Sequence, residues 1–153
     1  MVNQTFHTYY EIIRASSLFK SFYADFADYN DAPILCKKVL MELLNTCFNL
    51  HEETKGVYLV RSGGSTQKPL IFPVDITENL DQRTVLANAL TAANLFSPST
   101  IALNMFGYSD MYRTAAILDD ILEKCNATTL AVSSNIKYED AYDTSLHFKP
   151  NFI

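Results

Sequence analysis

Tryptophan is missing from this chain of 153 residues, and glycine and proline are sparse at 4 and 5. So few breakers predict regular elements joined by short connections. Basic runs are missing too. Lys37-Lys38 is the one adjacent basic pair, and the net charge is −5. A nucleic-acid binder draws most of its affinity from cations against phosphate, so nucleic acid is not an expected partner. No apolar run approaches the roughly 20 residues of a membrane span, and no membrane partner is expected. Residues 1–20 lack a charged segment followed by an apolar one, so no secretory leader is expected. Cysteine is low and odd in number at 3. Cys36 and Cys47 fall on one predicted helix about 16 Å apart, too far to bridge. Reduced thiols on inner faces and a cytoplasmic location are the expectation.

What is present points to a folded protein. Hydrophobic residues make up 48% and charged residues 19%, which excludes a disordered chain. The length predicts a single domain over 1–153, with a helical front at 1–53, an α/β portion at 54–135 and a tail at 136–153. Aromatic residues are abundant, with 9 Tyr and 10 Phe.

Residues 8–29 carry helical periodicity, with Phe19, Phe22, Tyr23, Phe26 and Tyr29 on one face. Asp31 and Pro33 then read as the start of a helix over 33–51, apolar nearly all round. Strands are predicted at 57–60 and 70–74, the second at an edge or bulged at Pro73, which has no N–H to donate. A helix over 78–96, capped by Thr77, precedes a strand at 100–105. A helix over 110–125, capped by Ser109, precedes a strand at 129–133. The order ααββαβαβ predicts an α/β fold of α+β type, with a mixed four-stranded sheet and the two leading helices packed on it. The tail shows no clear period and reads as a loop that docks its aromatics or orders on a partner.

The stretch Ser62-Gly63-Gly64-Ser65-Thr66 looks at first like a phosphate loop. Such a loop needs a helix after it, whose free N–H groups meet the anion. Here a proline-containing strand follows, and the glycine spacing fits neither phosphate-loop pattern. A tight hairpin turn is the reading, with a local anion nest of Arg61 and Lys68 as the lesser one.

Ligands of open parallel sheets bind at the carboxyl ends of the strands. His51, Glu53, Asp75, Asn104, Ser109, Asp110, Ser134 and Asn135 are expected along that rim. His51, Asp75 and Asp110 are the catalytic candidates, and Asn104, Ser109, Ser134 and Asn135 the ligand-binding ones. The set suits a metal-dependent phosphoesterase or nucleotide-binding enzyme, with Asp75 and Asp110 on Mg²⁺ and His51 as acid or base. The same acids also suit helix N-termini as plain caps. Asp119-Asp120-Glu123 reads as a solvated face with Asp120 paired to Lys124. No zinc spacing occurs among His7, His51 and His147, so no structural metal is expected.

The aromatic stripe supports a different function. Phe19, Phe22, Tyr23, Phe26 and Tyr29 exceed what a modest core face needs, and tyrosine-rich surfaces favour protein interfaces. The preferred expectation is therefore a non-enzymatic acidic protein that binds a protein partner or itself, with no cofactor. The metal-dependent enzyme is the alternative.

Overall fold

The computed structural model describes residues 2–52, 55–62, 68–108 and 110–153, with side chains from Phe6 onward. The chain divides into two compact units, Met1–Thr54 and Lys55–Ile153.

The first unit holds α1 (Val2–Ala15), α2 (Lys37–Thr46) and a 3-10 turn at Leu50–Glu52. The apolar period of 8–29 continues past residue 15, but the helix does not. Ser16 ends it. Its hydroxyl donates to the Ile13 carbonyl at 2.8 Å and accepts from the Phe19 N–H at 3.4 Å, diverting backbone groups from the helical ladder. Single turns follow, such as Phe22 N–H to the Phe19 carbonyl and Phe26 N–H to the Tyr23 carbonyl. These turns fold the stripe back on α1. Tyr10 and Tyr23 are buried edge to face at 5.6 Å, Phe22 meets Tyr23 at 4.7 Å, and the Tyr10 hydroxyl donates to the Phe26 carbonyl. The second helix is shorter than 33–51. Cys36 is its N-cap residue, and the Thr46 hydroxyl bonds back to the Glu42 carbonyl at its other end. Leu43 and Leu44 are its buried residues.

The second unit holds β1 (Val57–Arg61), β2 (Ile71–Asp75), α3 (Ile76–Ala92), β3 (Ile101–Asn104), α4 (Thr114–Lys124), β4 (Thr128–Ala131) and α5 (Tyr138–Phe148). The fold is mixed α/β, and the predicted order of the first eight elements is the observed one. β1 and β2 pair antiparallel, and β3 and β4 pair in parallel.

The four strands form two separate two-stranded sheets rather than one sheet. Both flanks of β3 are occupied. β4 takes one. On the other, the Leu103 N–H donates to the Phe152 carbonyl, and the N–H groups of Asn151 and Phe152 donate to the Ile101 carbonyl. β2 carries Pro73 opposite Leu59, which removes a ladder donor.

Asparagine stops α3, which ends at Ala92 rather than at the predicted 96. Asn94 turns left-handed at φ 55°, and the Leu95 N–H returns to the Leu90 carbonyl. Asn126 closes α4 in the same way, with Ala127 N–H on the Leu122 carbonyl. α4 begins four residues later than expected because Asp110 and Met111 are both left-handed, at φ 51° and 67°. The tail folds into α5 and the Asn151–Phe152 segment. Ala87, Phe96, Ala102, Ile121, Leu122 and Cys125 make the core between α3, α4 and β3.

Candidate functional site

The carboxyl ends of β3 and β4 form the best-built site in the second unit. Asn104, the last residue of β3, is 2% exposed and fully engaged. Its Nδ2 donates to the Ala115 carbonyl at 3.1 Å and to Asp119 Oδ1 at 2.8 Å, and its Oδ1 accepts the Phe106 N–H at 3.1 Å. Asp119 Oδ1 also accepts from the Thr129 hydroxyl at 3.0 Å. Asp119 is thus a joint between β3, α4 and β4, not part of a solvated face. Asp120, its neighbour, does pair with Lys124, at 2.5 Å. A cavity of about 190 Å³ opens beside this network, lined by Asn104, Phe106, Tyr108, Asp119 and Ser133 among others.

The loop over the cavity is pressed down at Gly107. A Cβ there would stand 3.1 Å from Ser134 Cβ and still closer to its hydroxyl. Ser134 is therefore brought to this site, though its own surface is exposed. Asn135 follows, exposed, with its N–H on the Ser133 hydroxyl at 3.2 Å.

The catalytic candidates are used differently. Asp75 is the N-cap of α3, a role the sequence reading gave to Thr77. Its Oδ1 accepts the Glu78 N–H at 3.0 Å. That bond, with the nearby Lys55 ammonium at 3.7 Å, holds the carboxyl below its ordinary range, against the opposing effect of burial. Asp110 is ion-paired with Arg61, so Arg61 is not free for an anion nest. His51 belongs to the first unit, exposed in the 3-10 turn, where its backbone N–H donates to Asn49 Oδ1. Ser109, Glu53 and the Gly63-Gly64 turn lie outside the described residues. No group of three His, Cys, Asp or Glu among the described residues is arranged to hold a metal ion.

A second polar cluster went unnoticed in the sequence. Arg83 of α3 is buried, with Nε on Asn79 Oδ1 at 2.7 Å, a terminal nitrogen 3.7 Å from Asp120, and another 3.4 Å from the Tyr58 hydroxyl. The Arg113 guanidinium lies 4.4 Å over the Tyr58 ring. Arg83 sits at helical spacing with Asn79 and Ala87, a pattern that marks it as inward-facing.

Of the interface candidates, Tyr23 is buried and Phe19, Phe22, Phe26 and Tyr29 are half-buried. The exposed large apolar residues of the first unit are elsewhere, at Phe6, Tyr9, Ile12 and Ile13 of α1 and, outside that helix, at Ile34 and Leu50. The cysteines are unpaired. Cys125 is buried as expected and Cys47 partly so, but Cys36 is exposed, because the helix starts after it. No helix among the described residues is long and apolar enough to cross a membrane.

Comparison of the chain with protein-family models and with curated proteins finds no match to either.

Proposed function

We propose that this chain works by protein–protein binding, as a self-associating or adaptor-type accessory protein, through the apolar face of α1. The observation that carries this reading is the exposure of Phe6, Tyr9, Ile12 and Ile13, at 58%, 61%, 62% and 41%. At 100° per residue they cover an arc of about 120°. Single exposed apolar residues are ordinary, but a contiguous helical face of them marks an interaction surface. Tyr10 borders that face and is buried on Tyr23, so the face continues the interior of its own unit. Covering each of these side chains is worth roughly 1.5–3 kcal/mol. A cytoplasmic setting belongs to the same reading and rests on three unpaired thiols.

The metal-dependent enzyme has less behind it. Asp75 is committed to a helix cap and Asp110 to Arg61, and among the described residues neither belongs to a group of three His, Cys, Asp or Glu that could hold a metal ion.

Light scattering across a concentration range, on the wild-type chain and on Phe6→Asp with Ile13→Asp, tests the proposal. Circular dichroism confirms that both fold. The wild type is expected to exceed the mass of one chain, and the variant to stay monomeric. If the wild type is itself monomeric, affinity capture with the two chains decides. A partner held by the wild type and lost by the variant fits the reading, whereas equal capture by both removes α1 from it.

A further inference from the structure

The cavity beside Asn104 carries an inference independent of the α1 face. It lies at the carboxyl ends of two parallel strands joined through a helix, where open sheets take small ligands. Its polar character is one-sided. Both N–H groups of the Asn104 amide are spent, on Ala115 and Asp119. The Phe106 N–H is spent on Asn104, and the Val132 N–H on the Asn104 carbonyl. An anion entering here meets few free donors, and among the described lining residues there is no cation. Asp119 is the only charge among those described residues. Two donors hold its Oδ1, while its Oδ2 accepts no hydrogen bond from a described residue. The carboxylate is fixed in place with one oxygen to spare.

Phe106 and Tyr108 line the same cavity and stay exposed at 54% and 71%. Aromatic faces beside a fixed carboxylate attract a desolvated cation through the ring quadrupole. The net charge of −5 adds a favourable long-range field. At about 190 Å³ the space suits a headgroup-sized molecule.

We propose that this cavity binds a small organic ammonium ion, with Asp119 as counter-ion and Phe106 and Tyr108 as its aromatic walls. Gly107 positions those walls, because its close approach to Ser134 holds the loop down on the segment that follows β4.

Calorimetric titration of the full chain with choline, ethanolamine, the neutral choline isostere 3,3-dimethylbutanol, and inorganic phosphate tests this. Saturable binding of an ammonium probe is expected, with the neutral isostere weaker by about tenfold or more and phosphate not bound. Asp119→Asn keeps the Oδ1 acceptor and removes the charge, so it should weaken ammonium binding by roughly tenfold. Tyr108→Ala changes an exposed ring, keeps the fold, and should weaken it by about threefold or more; it decides the matter if Asp119→Asn fails to fold. No saturable ammonium binding up to about 10 mM, a level weaker than useful affinity, overturns the proposal. So does equal binding of the neutral isostere, or affinity unchanged in Tyr108→Ala. Tighter binding of Nα-acetyl-lysine amide than of choline or ethanolamine replaces the small ligand with a peptide side chain and sinks the proposal as stated.

Discussion

Asn104 and Asp119 are joined by a 2.8 Å hydrogen bond that ties the end of β3 to the middle of α4. Asn104 also answers the Phe106 N–H and the Ala115 carbonyl, so three backbone or side-chain groups depend on one amide. Asn104→Leu is expected to cost about 3 kcal/mol in urea unfolding, since it strands partners that have left water. Asn104→Asp puts a second carboxylate against Asp119 and takes away both donors. Its loss should be larger at pH 7 than at pH 4, where one carboxyl of the pair takes a proton. Equal losses at both pH values would show that the two side chains do not meet.

Gly107→Ala should destabilise the second unit by about 1 kcal/mol, because the new Cβ displaces Ser134. The double variant with Ser134→Gly removes the obstructing atoms and should recover most of that loss. A cycle with no coupling between the two positions contradicts the close approach.

Asp75 titrates below the ordinary carboxylate range because the charged form is hydrogen-bonded by Glu78 N–H and attracted by Lys55. A group whose folded pKa is depressed stabilises above its unfolded pKa, near 4, and loses that contribution as pH falls through the folded value. Melting temperature should therefore drop below about pH 4, and Asp75→Asn, which keeps a capping oxygen, should flatten that part of the curve. An unchanged acid slope in Asp75→Asn assigns the dependence to other carboxyls.

Phe152 stacks edge to face on Phe96 at 4.9 Å while its backbone pairs with β3. Phe152→Ala should cost about 2 kcal/mol, below the value for a fully buried ring because Phe152 is partly exposed. Leu122→Ala, at the centre of the core, should cost more, about 3–4 kcal/mol. Denaturant midpoints order the two, and a reversed order is inconsistent with the packing.

Tyr10→Phe removes the hydroxyl that reaches the Phe26 carbonyl at 2.9 Å. About 1 kcal/mol should be lost from the first unit. In the same cluster, burial and the neighbouring Tyr10 push the Tyr23 hydroxyl above its ordinary value. Its neutral form is favoured in the fold, so that stability is present below pH ~10 and declines as pH rises through the raised value. Tyrosinate absorbance should show one delayed group that Tyr23→Phe removes.

Strong local signals were legible. Short apolar runs at 57–60, 70–74, 100–105 and 129–133 pointed to four strands in the observed order, with an antiparallel first pair and a parallel last pair, though not to their division into two sheets. Periodicity failed where side chains compete with the backbone. Ser16 halts α1 although the apolar pattern runs on to Tyr29. The tail hid α5 because its polar and aromatic residues alternate irregularly around one buried Ala141. Asn104 stood among the ligand candidates for its place at a strand end, and that place is real. Asp119 was missed because an acid on a helix beside Asp120 looks like surface until the long-range contacts of Asn104 and Thr129 are known. The split into two sheets depended on Asn151 and Phe152, some fifty residues from the strand they flank, which no local pattern encodes.

That distant flank also guards the fold. Without Asn151 and Phe152 beside it, the Leu103 N–H and the Ile101 carbonyl would stand unpaired along one margin of β3. A bare strand margin recruits other chains. Two residues far along the chain thus shield β3 from edge-to-edge aggregation.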